Sequence, residues 1–205
     1  MKRAFDIVFS ACVLILLAPL FLIIGIIVKC TSDGPIFYTS KRAGLHGKPI
    51  HCLKFRSMYQ DAEARLDALL KSNSEYQKEW DAYQKLKNDP RIIPIGRILR
   101  RFSIDELPQF WNVLKGDLSV VGPRPPTLMS NSLDEIEKLY GDKTRVILSV
   151  RPGITGIWQI SGRSNITFEE RCAIEERYAK THTLLQDLSI IAKTIPAVLS
   201  AKGAF

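Results

Sequence analysis

The chain opens on an unbroken apolar stretch, Ile7 to Val28, 22 residues without a charge. As a helix rising about 1.5 Å per residue it measures roughly 33 Å, enough for a hydrocarbon core of about 30 Å. Pro19 stands near its middle, and basic residues flank both ends, Lys2 and Arg3 before it and Lys29 after it. Positive flanks favour the cytoplasmic side. The residues alone therefore leave two arrangements open: a single crossing, or a helix interrupted at Ala18-Pro19 that enters one leaflet and returns. A secretory leader fits poorly, since the apolar stretch is long and no small-residue cleavage site follows it.

Beyond Lys29 the pattern changes. Ile36 to Arg42 and Pro49 to Arg56 are rich in β-branched and aromatic residues and are separated by Gly44-Leu45-His46-Gly47, which predicts paired strands. Asp61 to Lys87 is charged, with Leu66, Leu69, Leu70, Tyr76 and Trp80 at near-helical spacing, and predicts a long helix. Arg91 to Pro126 mixes Arg, Gly and Pro around a short helix, while Arg151 to Arg163 reads as a loop. Near the end, Leu184, Leu185, Leu188, Ile191, Ile195, Val198 and Leu199 give an apolar helical face, with Lys193 and Lys202 nearby. Such a face packs on a core or lies in the plane of a membrane interface. The expected fold class is α+β and membrane-associated, with a membrane segment over residues 1–30 and one soluble domain over 31–205.

Composition narrows the function. With 46% hydrophobic and 24% charged residues, disorder and low-complexity classes fall away. Cys12, Cys30, Cys52 and Cys172 show no metal-binding or disulfide spacing. The net charge of +8 calls for an anionic partner: nucleic acid, lipid headgroups or a phosphorylated substrate. Nucleic acid fits least, because no nucleic-acid-binding motif accompanies the apolar segment.

The chemistry concentrates in Arg100-Arg101-Phe102-Ser103-Ile104-Asp105-Glu106-Leu107-Pro108. Ser103 and Glu106 have capping-box spacing, but a helix starting there would put Pro108 where its missing N–H removes a hydrogen bond. The expected helix start is Asp105, where the positive end of the dipole favours an ionised, nucleophilic carboxylate. Glu106 beside it suits a divalent cation such as Mg²⁺ next to a phosphate, and Arg100 and Arg101 would attract a phosphoryl group. Rigid turns carrying cations recur in Lys54-Phe55-Arg56-Ser57-Met58, Gly122-Pro123-Arg124-Pro125, Arg151-Pro152-Gly153-Ile154-Thr155-Gly156 and Gly162-Arg163. Together they imply phosphoryl chemistry.

Read in order, the N-terminal apolar segment with Pro19, Lys54-Phe55-Arg56-Ser57-Met58, Leu86-Lys87-Asn88-Asp89-Pro90-Arg91, Ser103-Ile104-Asp105-Glu106-Leu107-Pro108-Gln109, Asn112-Val113-Leu114-Lys115-Gly116-Asp117, Val121-Gly122-Pro123-Arg124-Pro125 and Arg151-Pro152-Gly153-Ile154-Thr155-Gly156 resemble the bacterial sugar transferase family, monotopic phosphoglycosyl transferases acting on polyprenol phosphates. The resemblance covers nearly the whole chain. It implies a re-entrant helix–break–helix hairpin broken at Ala18 and Pro19, both ends cytoplasmic, at the cytoplasmic face of the bacterial inner membrane. It also implies that Asp105 attacks the β-phosphorus of a UDP-sugar, releases UMP and becomes an aspartyl-phosphosugar, which undecaprenyl phosphate then takes. Asp105 and Glu106 become the catalytic dyad and Mg²⁺ ligands; Lys54, Arg124 and Arg151 become substrate-phosphate residues.

Two departures stand out. Ala18 replaces the family's usual Ser before Pro19. Glu175, four residues before Ala179, stands where the family has an Asp before a Val, and is assigned to the substrate-phosphate site with a longer reach. The segment between Met58 and Leu86 resembles the branch transferring galactose 1-phosphate or glucose 1-phosphate in exopolysaccharide and O-antigen synthesis, with an N-acetylated sugar as the alternative. The chain reads as a free-standing catalytic unit. Competing readings are a non-catalytic membrane scaffold for later glycosyltransferases and a UDP-sugar hydrolase, for which a membrane hairpin has no use. A second copy of the chain and downstream glycosyltransferases are the protein partners left open.

Overall fold

The structure is a computed structural model that describes all residues except 73, 84–85, 129–133, 163–165 and 201–205; Arg163 and Lys202 lie outside the described residues. In chain order the described elements are α1 (Lys2–Thr31), β1 (Phe37–Ala43), β2 (Pro49–Phe55), α2 (Ala62–Ser72), α3 (Ser74–Tyr83), α4 (Pro94–Arg101), α5 (Gln109–Lys115), β3 (Ser119–Val121), α6 (Asp134–Tyr140), α7 (Thr144–Ile147), β4 (Gly153–Thr155), α8 (Ile157–Ile160), α9 (Phe168–Thr181) and α10 (Leu184–Leu199), with 3₁₀ turns at Leu45–Gly47, Ile104–Glu106 and Gly141–Lys143. Mostly helical, with two small sheets, this is the expected mixed class.

β1 and β2 form an antiparallel hairpin in which Phe37 faces Phe55 and Ala43 faces Pro49, within one residue of the predicted strands. β3 and β4 are parallel, pairing Ser119 with Gly153 and Val121 with Thr155. This second sheet gives the two Gly-Pro motifs a joint structural reason. A Cβ on Gly153 would come within 2.0 Å of the Gly122 nitrogen, and one on Gly156 within 2.2 Å of the Gly122 carbonyl oxygen. Glycines are needed because the two backbones touch. Gly122 N–H donates to Thr155 O and Gly153 N–H to Pro123 O, each at 2.9 Å.

Several expectations are corrected. The stretch Asp61 to Lys87 is two helices, α2 and α3, joined between Ser72 and Ser74, residues whose hydroxyls compete for backbone hydrogen bonds. Arg151 to Arg163 is not only loop: it holds β4 and α8. At Ala18-Pro19, where an interruption is expected, α1 runs through as one helix with Pro19 inside it. The missing N–H removes one bond of the ladder, and the helix continues on both sides.

α1 is built into the domain at both ends. Asp6 and Ser10 are buried toward its start and Ile24, Gly25 and Val28 toward its finish. Phe9, Val13 and Leu14 pack on a cluster with Phe110, Val113, Val121 and Tyr178, whereas Ile24 and Val28 belong to a cluster with Phe55, Ile93 and Leu99. Between these anchors Ile15, Leu16 and Leu22 are exposed. Among the described residues α1 is the one helix long and apolar enough to cross a membrane.

The anchors are cationic. Arg3 donates to the carbonyls of Val113 at 2.6 Å and Leu114 at 2.9 Å, closing the open C-terminus of α5. Arg56, 4% exposed, does the same for α1 by donating to the carbonyls of Asp33, Ser32 and Val28. Of the cations in the Lys54-Phe55-Arg56 motif, Arg56 therefore serves the fold.

Candidate active site

β2 and α5 are joined through one side chain. Asn112, 2% exposed, accepts from Leu53 N–H at 2.8 Å and donates to the His51 carbonyl at 2.7 Å and to Asp117 at 3.0 Å. It fixes the edge of β2 against α5 and so sets Lys54 beside the dyad. Asp89 and Arg91, paired at 2.7 Å, likewise brace the chain before α4.

The dyad does not open a helix at Asp105, as the sequence predicts. Ser103 adopts φ 53°, and this left-handed residue turns the chain from α4 directly into the 3₁₀ turn Ile104–Glu106. Pro108, which lacks an N–H to extend that turn, stands at the boundary where α5 begins with Gln109. The expected electrostatics reverse as a result. Asp105 is 7% exposed, and burial, opposed by the Lys54 charge, pushes its carboxyl up to about 6. Glu106 goes the other way: burial is outweighed by Lys54, Arg124 and Arg42, which lower it to about 2. Lys54 Nζ lies 2.7 Å and the Arg124 guanidinium 3.6 Å from the same Glu106 oxygen, Oε1.

Both carboxylates, Lys54 and Arg124 line a cavity of about 640 Å³, together with Arg42 and Arg100. Arg42 carries no site motif in the sequence. It reaches the cavity because the hairpin register places it opposite Ile50, four residues along β2 from Lys54 and so on the same face of the sheet, and burial beside Arg124 lowers its pKa. Of the predicted phosphoryl cations, Arg100 lines the cavity whereas Arg101 does not.

Arg124 is held from behind. Its backbone N–H donates to Glu175 Oε1 at 3.1 Å, and its guanidinium stands 5.2 Å from the Trp158 ring centroid, with Arg171 at 4.8 Å from the same centroid. Arg171 also donates to Glu175 Oε1 at 3.1 Å and to Tyr140 Oη at 3.2 Å. Glu175 therefore touches the site through Arg124 and does not itself line the cavity. Its helix, α9, begins with a capping box between Thr167 and Glu170, a Thr-x-x-Glu signal readable in the sequence, though the pattern says nothing of Arg171. Arg151 is not brought to the cavity: it is exposed and donates to the Gly116 carbonyl at 3.0 Å.

Among the described residues no group of three or more His, Cys, Asp or Glu is placed to hold a metal, so an all-protein cage is absent there. Two adjacent carboxylates fit Mg²⁺, which takes one or two carboxylates and completes its shell with water and substrate phosphates. Part of the cavity wall is apolar, formed by Phe9 and Val13 of α1 and by Ile191, Ile195, Val198 and Leu199 of α10. Gln159 lines the cavity as well. Its amide nitrogen donates to the Ile154 carbonyl at 3.2 Å, which leaves the buried oxygen without a partner.

Residues 1–201 match the bacterial sugar transferase family. Over 204 residues the chain is 42% identical to the exopolysaccharide production protein ExoY of Sinorhizobium fredii, covering all of this chain and 88% of that protein. It is 44% identical over 206 residues to the undecaprenyl-phosphate galactose phosphotransferase of Salmonella typhimurium, again over its full length but over only 42% of the relative. To the UDP-glucose:undecaprenyl-phosphate glucose-1-phosphate transferase of Caulobacter vibrioides it is 35% identical over 209 residues, 100% of this chain and 72% of the relative.

Proposed function

Since the chain belongs to the bacterial sugar transferase family, we propose that its cavity transfers a hexose 1-phosphate from a UDP-sugar to undecaprenyl phosphate, through a covalent intermediate on Asp105, as the first membrane step of glycan assembly. The observation that carries the reading is the division of the dyad. One buried carboxylate has no cation bonded to it among the described residues and is pushed up to about 6; the next is locked to two cations and held near 2. A carboxylate ionised at neutral pH but poorly solvated is a strong nucleophile, and Asp105 is assigned that role.

In the first half-reaction an Asp105 oxygen attacks the sugar-bearing phosphorus, the bond from that phosphorus to the bridging oxygen breaks, and UMP leaves with the electron pair. Lys54, Arg124 and Arg42 converge where charge grows on the leaving phosphate, so their stabilisation is strongest in the transition state. In the second half-reaction a phosphate oxygen of the acceptor attacks the same phosphorus and the Asp105 carboxylate departs. Asp105 and Glu106 would hold Mg²⁺, which when bound supplies neutralisation of the diphosphate charge. The sugars named for the relatives are galactose and glucose, and a hexose is the proposed class.

For the membrane, the reading is monotopic at the cytoplasmic face. α1 is about 45 Å long at 1.5 Å per residue, yet groups near both its ends bond to one domain: the Lys2 side chain to Asp187, and the Val28 carbonyl, which accepts from Arg56. That supports a helix dipping into one leaflet by its exposed centre around Pro19, with α10 lying in the interface.

Intact-protein mass spectrometry tests the reaction. Incubated with Mg²⁺ and UDP-galactose or UDP-glucose without acceptor, the parent should gain the mass of one hexose phosphate and Asp105→Asn none. A parent that makes lipid-linked product but never gains mass would require direct transfer instead.

A further inference from the structure

The cavity has two chemically opposite poles, and one substrate does not match both. Lys54, Arg124 and Arg42 occupy one pole. They also line a smaller inner recess with Glu106, Gln109 and Gly153, from which Arg100 is absent. A nucleotide diphosphate suits that pole. The other pole offers such a ligand nothing: Phe9, Val13, Ile191, Ile195 and Val198 present only hydrocarbon. The Thr155 and Thr194 hydroxyls at its edge are bonded to each other at 2.7 Å, and Thr194 donates onward to the Ile190 carbonyl at 2.8 Å. A hydroxyl pair satisfied in this way leaves the wall effectively apolar.

The two walls come from the two elements that also carry exposed apolar surface. On α1, Ile15 and Leu16 are each 78% exposed; on α10, Leu185 is 78% and Leu199 68% exposed. The arm of the cavity between α1 and α10 is thus continuous with surfaces that suit lipid. The nucleophile and Arg100 line the same cavity. An apolar slot in a cavity that also presents a cation and the reacting carboxylate is complementary to an amphiphile with a small anionic head.

We propose that this α1–α10 arm is the channel for the acceptor's hydrocarbon chain, holding its phosphate-proximal isoprene units between Phe9 and Val13 on one side and Ile191, Ile195 and Val198 on the other, with Arg100 as the cation that meets the acceptor phosphate. The inference rests on the phosphotransferase reading above and adds where the lipid lies and which residues select it. The acceptor reaches Asp105 sideways from the bilayer while the donor's nucleotide leaves through the opposite, cationic pole. The two half-reactions are therefore separable by mutation.

Ala197 lines the arm, so Ala197→Trp should obstruct it. With the full chain in nanodiscs, UMP released in a single turnover without acceptor reports the donor half-reaction, and kcat/KM for undecaprenyl phosphate reports the acceptor half. Ala197→Trp should lower the acceptor value at least tenfold while the UMP burst stays within a few-fold of the parent; Arg100→Met should also lower the acceptor value. Glu63→Gln, exposed on α2 and not among the residues that line the cavity, should change neither. Equal loss in both halves, or an unchanged acceptor value, overturns the channel. A parent without any UMP burst instead overturns the underlying reaction. A second measurement needs neither turnover nor a mutant: a short prenyl phosphate carrying a benzophenone on its second isoprene unit should label residues 9–13 and 190–198. Label confined to other segments also overturns the channel.

Discussion

Lys54 Nζ lies 2.7 Å from Glu106 Oε1, so the cation most obviously offered to a substrate phosphate is already engaged by a carboxylate of the protein. Arg124 shares the same oxygen at 3.6 Å. An incoming diphosphate thus meets a pair of cations pre-aligned by Glu106, with little reorganisation left for the reaction itself. Lys54→Met should remove that alignment. The UMP release rate should fall by about 10²-fold or more, as when one electrostatic donor to a transition state is lost, while the folded fraction seen by circular dichroism stays near that of the parent. A rate within threefold of the parent would place Lys54 outside the transition state.

The opposite displacements of the two dyad carboxyls predict opposite stability effects. The Asp105 carboxyl sits at about 6 in the fold against an ordinary 3.8, so its contribution to stability is full below the ordinary value and is lost as pH rises through 6. At about 1.4 kcal/mol per unit, the buried charge costs on the order of 3 kcal/mol at neutral pH. Asp105→Asn, measured with chelator present, should melt several degrees above the parent at pH 7.5, and the gap should close as pH falls toward 4. Glu106, lowered from 4.5 to about 2, contributes stability that is present above 4.5 and lost only as pH falls through 2. Glu106→Gln should therefore melt below the parent at pH 7.5. Shifts of the same sign in the two variants would contradict this division of the dyad.

Arg151 and Arg124 look equivalent in sequence, each following or preceding a Pro in a Gly-containing turn, but the fold separates them. Arg151 donates to the Gly116 carbonyl from an exposed position, whereas Arg124 reaches Glu106. Arg151→Ala should leave turnover within about twofold, since surface changes of this kind cost little. Arg124→Ala should fall with Lys54→Met. Steady-state UMP release on the two variants checks both.

What could be read from the sequence followed the physics of each signal. The β1–β2 hairpin and the α10 helix were legible because periodicity and turn residues report local structure. The dyad was legible as chemistry, but not in its electrostatic state: the turn that carries Asp105 packs against β2, an element distant in sequence, and the resulting burial overrides the dipole argument. The Gly-Pro motifs were legible as rigid turns, while their mutual contact across β3 and β4 is a long-range pairing that no local pattern encodes. Arg42 and Arg171 gave no signal at all, since each lies in an ordinary strand or helix and becomes a site neighbour only through register and packing.

Asn112 should prove as important to stability as any apolar core residue. Its amide satisfies Leu53 N–H, the His51 carbonyl and Asp117 at once. Asn112→Ala would leave partly buried backbone groups without their protein partner, at up to about 1–3 kcal/mol each where water does not replace it. We expect a loss of about 2–4 kcal/mol by denaturant unfolding. UMP release should also fall in the fraction that remains folded, because β2 then no longer fixes Lys54. A stability loss below 1 kcal/mol would mean that water replaces these bonds.

The junction between the start of α1 and α10 has a different physics, because one charge of its ion pair, Asp187, is buried while the Lys2 side chain is 28% exposed. Asp187, fully buried, accepts from Lys2 Nζ at 2.5 Å and from Tyr178 Oη at 2.7 Å, and Lys2 also donates to the Val121 carbonyl at 3.0 Å. Breaking one side of a buried pair leaves an uncompensated charge and typically costs about 3–5 kcal/mol, whereas replacing the whole pair with apolar groups is often neutral. Lys2→Met, which strands the buried Asp187, should therefore destabilise strongly, and adding Asp187→Leu to it should recover much of the loss. The recovery should be incomplete, since Tyr178 keeps only its bond to the Val121 carbonyl at 3.1 Å. Thermal melts of the parent, both single variants and the double close the cycle. Strict additivity would mean that α1 is held to α10 by packing alone, and a coupling of 1 kcal/mol or more would assign the junction to this pair.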